Sequence, residues 1–222
     1  MSKIRRRSAG FAAIAGATLV TMVATAATSG AVVDRAPNTA KDVKLSGGHC
    51  VAHISDTDIK YDSVVPLSSN PFTREYFFTN HGSVKLKCDD DKNLPSKFTL
   101  EVGYQIAPTA DVSDGLSLGI TPALNTSNNQ LTISTPVSHK IKAGQITEAA
   151  VAKRDYAKAD KTEFTPAKPT PKSGDINING WHAQLNNAVG VVKIRSYVKL
   201  TSSSGNADDI NVLYSRVVDL RG

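Results

Sequence analysis

The chain has few of the features that would narrow its function. Of its 222 residues two are cysteine and one is tryptophan, and aromatic residues make up 6%. There is no G-x-S-x-G turn, H-E-x-x-H pair, phosphate-binding loop or dinucleotide glycine pattern. After residue 31 no apolar run approaches the roughly 20 residues that a membrane-spanning helix requires. The sequence therefore predicts a protein that is not an enzyme and that needs no cofactor.

The first 31 residues have the parts of an export signal. Lys3 and residues 5–7 form a basic stretch, residues 11–23 carry no charge, and small residues continue to Ala31. We expect cleavage between Ala26 and Ala31 and a protein that is secreted or held at the cell surface, passing through a periplasm. The leader holds four cations, so the formal charge of +6 falls to +2 in the mature chain. This near balance predicts no nucleic-acid partner.

Short runs of alternating apolar and polar residues dominate the mature chain. They cover residues 50–61, 84–88, 98–104, 191–200 and 210–220, and turn-forming residues separate them. This pattern predicts an all-β fold, an immunoglobulin-like β-sandwich over residues 49–222, either complete or lacking its last strand. Residues 32–48 precede it as an N-terminal extension.

Two segments of the sandwich domain depart from the alternating pattern. Residues 145–160 are rich in Ala, Lys and Glu, which suits either a helix of about four turns or an irregular strand. Residues 165–174 hold three prolines and two lysines, so they predict an exposed extended loop.

The two cysteines predict one structural disulfide. Cys50 opens one alternating run and Cys88 closes another, and both fall on apolar-facing positions. Exported proteins fold where thiols are oxidised, and a bridge across 38 positions restricts the unfolded chain. No histidine or carboxylate cluster with metal-ligand spacing accompanies them, so the sequence predicts no metal site. The Asp89–Asp91 triplet is interpreted as a solvated turn.

The layout resembles the fimbrial subunits of the chaperone-usher class. The features that carry the resemblance are the leader, a cysteine opening a strand as Cys50-Val51-Ala52, a cysteine closing one at Cys88, and a C-terminal alternating strand with a tyrosine. Spore-coat-U-like secreted proteins share a weaker similarity. The resemblance implies a pilus subunit that serves attachment, with other copies or related subunits, a periplasmic chaperone, an outer-membrane usher and a surface receptor as partners.

In such subunits the N-terminal extension of one copy adds a strand to an open groove in the next. The candidate donor residues in this chain are Val33, Val43 and Leu45. The C-terminal run is expected to be a core strand of the sandwich. Its inward-facing residues are taken to be Ile210, Val212, Tyr214, Val218 and Leu220.

The alternative function is a monomeric secreted module that binds a ligand, for example a glycan. Trp181, Tyr197 and Tyr104 are its candidate stacking residues, since a turn-flanked indole can lie on the surface. The other interpretation of Trp181 is a core anchor with a bonded N–H, because large aromatic residues usually supply core area. An extracellular hydrolase ranks third.

Overall fold

The computed structural model describes residues 32–66, 72–109, 112–118, 131–133, 139–141, 143–157, 171–186, 190–204 and 207–220. These ranges form antiparallel strands and contain no α-helix, so the all-β prediction is confirmed. No helix in them is long and apolar enough to cross a bilayer. The strands are β1 (Val32–Arg35), β2 (Thr39–Lys44), β3 (Cys50–Val64), β4 (Arg74–Cys88), β5 (Lys97–Pro108), β6 (Val112–Leu118), β7 (Leu131–Ile133), β8 (His139–Ile141), β9 (Thr147–Ala157), β10 (Ser173–Leu185), β11 (Val192–Ser204), β12 (Ala207–Tyr214) and β13 (Val218–Leu220).

The strands form two sheets that share one core. Sheet A has the order β1-β3-β4-β10-β6-β8, with β2 beside β3, and sheet B has the order β12-β11-β5-β9-β7, with β13 beside β11. Apolar side chains from both sheets belong to a single buried cluster, as the period-two alternation requires. Cys50 and Cys88 lie opposite each other on β3 and β4 and form the one disulfide, which confirms the predicted bridge.

The segment that suits either a helix or a strand is a strand. Thr147–Ala157 forms β9, which pairs along its length with β5 and places Ala149, Val151 and Tyr156 in the core. Helix propensity amounts to a few tenths of a kcal/mol per residue, so burial against a neighbouring strand outweighs it. Residues 158–160 lie outside the described residues.

The predicted Lys/Pro loop ends earlier than expected. Residues 165–170 lie outside the described residues, but Ser173 and Gly174 already belong to β10 and pair with Lys85 and Val84 of β4. Gly174 fits there because the Tyr156 ring lies where a Cβ would be. The loop prediction is therefore wrong for these two positions.

The N-terminal extension forms two edge strands of sheet A in its own domain. β1 and β2 both pair with β3 of the same chain, one after the other along the same side. Pro37 lies in the break between them, where its missing N–H costs no ladder bond. Leu45 is buried in its own domain and Val43 packs against that core, while Val33 is exposed. The expectation that these residues donate a strand to another copy is wrong, because this segment is already paired with β3 of its own chain.

The C-terminal run has the opposite face inward from the one predicted. Ile210 is 65% exposed, Tyr214 is exposed and Val212 is half-buried, whereas Leu213 between them is buried. The strand then breaks at residues 215–217 and resumes as β13, where Leu220 is buried and Val218 packs against the core. The core-strand prediction therefore fails for the three residues of β12.

Candidate functional site

The residues predicted to stack on a ligand do not offer a binding platform. Trp181 and Tyr104 are buried and stack on each other between the sheets, with ring centroids 5.5 Å apart. Phe78 touches both rings. This aromatic cluster contributes core area, so Trp181 is a core anchor and the stacking prediction is wrong for both residues.

A buried polar network connects the two sheets beside this aromatic cluster. Asp56 on β3 is fully buried and accepts hydrogen bonds from the Asn80 amide (2.8 Å) and from the Ser196 hydroxyl of sheet B. The Tyr104 hydroxyl donates to the Asn80 side-chain oxygen at 2.7 Å. Burial raises the pKa of Asp56, and the bonds from Ser196 and Asn80 oppose that effect. A carboxyl group therefore joins the two layers in the middle of the core.

Tyr197 is buried although it belongs to the outward face of sheet B. The hydroxyl end of its ring lies against Gly103 of the neighbouring strand, and its hydroxyl donates to Glu101 at 3.1 Å. Burial and the charges of Glu101 and Glu148 raise the pKa of Tyr197 well above its usual range. The predicted stacking role is wrong here too, because the ring is wholly covered.

Gly103 gives a direct test of this arrangement. A Cβ at Gly103 would lie 2.7 Å from the Tyr197 ring and closer still to the backbone oxygen of Ala149, which cannot rotate away. We expect Gly103→Ala to lower the free energy of unfolding by about 1–3 kcal/mol through overpacking. Urea denaturation measures this. Lys153→Ala, at an exposed position on β9, is the control and should change stability by less than about 0.5 kcal/mol. Equal midpoints for both variants would contradict the described packing.

The exposed large apolar side chains are concentrated at one end of the sandwich, which we call the open end. β3 ends and β4 begins there, and Thr109 after β5 bonds to Val191 before β11. β1 and β13 touch at this end, which shows that the ends of the two sheets coincide. Of the nine exposed large apolar residues in the described ranges, seven lie here: Val32, Val33, Val65, Phe72, Ile146, Val191 and Val217.

The opposite end, the disulfide end, is charged. Cys50 and Cys88 join β3 to β4 there, and the exposed triplet Asp89–Asp91 follows at once. Lys172 pairs with Asp91 at 2.6 Å and His49 with Asp89 at 3.6 Å. A groove of about 440 Å³ opens beside the bridge, lined by Leu45, Ser46, Gly47, His49, Cys50, Lys92, Asn93, Leu94, Pro95, Ser96, Ser204 and Ala207. The disulfide end thus carries exposed charge beside a groove, whereas most of the exposed large apolar residues lie at the open end.

The sequence model of the MspA family matches residues 48–219. Three solved structures show a distant likeness. They are a "Pore forming protein" (8% identity, 83% of this chain and 90% of that chain, TM-score 0.27), the Clostridium perfringens NetB toxin in the membrane inserted form (8%, 82% and 95%, 0.30) and Clostridium perfringens delta-toxin (6%, 85% and 94%, 0.31). At these TM-scores the likeness carries no inference about this chain. No curated protein matches it.

The family match overturns the functional predictions. The chain is not a fimbrial subunit, so the prediction of a chaperone, an usher and a receptor as partners is also wrong. The glycan-binding alternative is also wrong. A cysteine bridge between alternating strands is common to many exported β-proteins, so the features that carried the resemblance could not separate these families. The match covers residues 48–219 of 222, and the chain belongs to the MspA family.

Proposed function

We propose that the mature chain assembles with copies of itself into a pore across a membrane and has no enzymatic activity. The observation that carries this proposal is the match of the MspA family to residues 48–219, because members of this family form pores. The two-sheet architecture supports this proposal, because it gives each subunit a fixed shape against which neighbouring copies can pack. An immunoglobulin-like strand order, with or without a last strand, stays a prediction that the proposal does not need.

Export fits this function, because a subunit that forms a pore in an outer membrane must first leave the compartment in which it is synthesised. The predicted leader, residues 1–31, lies outside the described residues and stays a prediction. Determining the N terminus of the exported protein checks it, and we expect a first residue between 27 and 32, just after the small-residue stretch.

Conductance across a planar lipid bilayer tests the pore. We expect purified mature protein to produce discrete current steps of uniform size, because a closed ring has a fixed number of subunits and a fixed bore. Native mass spectrometry in detergent should give one oligomer of more than two copies. Protein denatured in urea and added at the same concentration is the control and should give no steps. A monomer that leaves the bilayer silent at all concentrations would contradict the proposal.

A further inference from the structure

Two hydrogen-bond donors at the start of β4 lie inside the sandwich without an acceptor. Tyr76 is fully buried in the core, and its hydroxyl has no hydrogen-bond partner. Arg74 lies two positions earlier on the same inward face of the strand, and its Nη1 atom is also buried without a partner. Buried polar groups of folded proteins nearly always have a partner, and a charged donor is the most costly to leave without one. These two donors therefore indicate a place for an acceptor.

The two donors lie close to each other. Burial raises the pKa of Tyr76, and the Arg74 guanidinium opposes that effect because its positive charge lies near the hydroxyl. The Tyr76 hydroxyl nevertheless makes no hydrogen bond to Arg74. A single acceptor with two or more oxygens can therefore serve both groups.

The acids near Arg74 do not neutralise its charge. Glu75 is its neighbour in sequence but lies on the outer face of β4, where its carboxylate is 3.6 Å from the Nε2 atom of His182. Asp34 on β1 adds to the effect of burial on the pKa of Tyr76, yet the ion pairs of the described ranges include none between Asp34 and Arg74. Water accepts hydrogen bonds from such donors but carries no charge. The unpaired guanidinium nitrogen therefore favours an anion over water.

The chemistry of the two donors defines the class of ligand. A guanidinium group presents parallel N–H bonds that match two oxygens of a carboxylate or a phosphate, and the tyrosine hydroxyl supplies a further, neutral donor. Arg74 is half-buried and begins β4, so a small molecule can reach it from the open end. We propose that Arg74 and Tyr76 bind an oxyanion at the open end, the phosphate or carboxylate group of a small molecule. This site is independent of the proposed pore function.

Equilibrium dialysis of mature protein against radiolabelled inorganic phosphate, at constant ionic strength, tests the site. We expect one saturable site per chain. Arg74→Gln removes the charge and should raise the Kd about tenfold or more, and Tyr76→Phe removes only the hydroxyl and should raise it about threefold. The control is Arg35→Gln, which removes an exposed arginine from β1 of the same sheet and should leave the Kd unchanged.

The stability of Tyr76→Phe gives a second measurement. Without phosphate this variant should have the urea midpoint of the wild type, because the hydroxyl has no partner to lose. Saturating phosphate should raise the midpoint of the wild type more than that of the variant, because a ligand stabilises the state that binds it. A variant that is less stable by the same amount with and without phosphate would show that the hydroxyl has a partner in the protein, and the proposal would be wrong.

Acetate added as a competitor distinguishes the two sources of the oxyanion. Displacement of phosphate at a comparable acetate concentration identifies a carboxylate ligand, and retention of phosphate identifies a phosphate ligand. Absence of saturable binding of either anion to the wild type would overturn the proposal, as would equal affinity of the wild type and either site variant. If Arg74→Gln does not fold, Tyr76→Phe decides the question, since it keeps the buried ring.

Discussion

Replacing both cysteines with serine should lower the free energy of unfolding by about 4 kcal/mol. The bridge closes a loop of 38 residues, and the chain-entropy relation gives this value for a loop of that length. The strands it joins are already paired, so the native geometry needs no rearrangement when the bond is absent. Urea denaturation of the wild type and of the Cys50→Ser/Cys88→Ser variant measures the difference.

The reductant provides the control for this experiment. A reductant added to both proteins should move the denaturation midpoint of the wild type toward that of the variant. It should leave the midpoint of the variant unchanged. Midpoints that coincide for the oxidised wild type and the variant would mean that the bond does not restrict the unfolded chain.

Asp56→Ala should lower the free energy of unfolding by about 3 kcal/mol, because it leaves the Asn80 amide and the Ser196 hydroxyl without their acceptor between the sheets. Asp56→Asn keeps an oxygen at this position and should cost much less. Asp42→Ala removes an exposed carboxylate on β2 and is the control, with an expected change below about 0.5 kcal/mol. A similar loss for Asp42→Ala and Asp56→Ala would contradict the buried network.

The same carboxyl group has a defined pH signature. Burial raises the folded-state pKa of Asp56 above its ordinary value of 3.8, so the folded protein binds this proton more tightly than the unfolded chain does. Its contribution to stability is present at low pH and is lost as pH rises through the raised pKa. Comparing wild type with Asp56→Asn isolates this group from other acids. The stability difference should shift in favour of the asparagine as the pH is raised from about 4 to 7. A difference that is constant with pH would contradict the raised pKa.

Alternation located the strands because side chains of a strand point to its two sides in turn. It gave the wrong inward face for β12, where the more apolar side of the strand is the outer one. In β12 the series Ile210, Val212, Tyr214 is longer than its alternative, Leu213 and Asn211, yet the longer series faces outward. β12 lies at the edge of sheet B, where the outer face need not be polar if another molecule covers it.

The buried positions of Asp56 and Asn80 are predictable from the sequence. Asp56 follows Ala52 and Ile54 on the same side of β3, and Asn80 follows Phe78 in β4, so period two already places both polar groups inward. What period two could not supply was their partner Ser196, which lies 140 positions away in the other sheet. Contacts between sheets depend on how the layers stack, and local patterning holds no information on that.

The pairing of β1 and β2 with β3 constrains what kind of assembly this chain can form. Lys41 of β2 donates to the backbone oxygen of Val212 in β12 at 2.7 Å, and Ser46 bonds to Asp209, so the two sheets protect each other's edges along this flank. These contacts hinder a strand from a second molecule from pairing with this flank. Copies that meet on this flank would contact each other through side chains, whose shape fixes the angle between neighbours. A fixed angle allows the series to close on itself after a whole number of subunits.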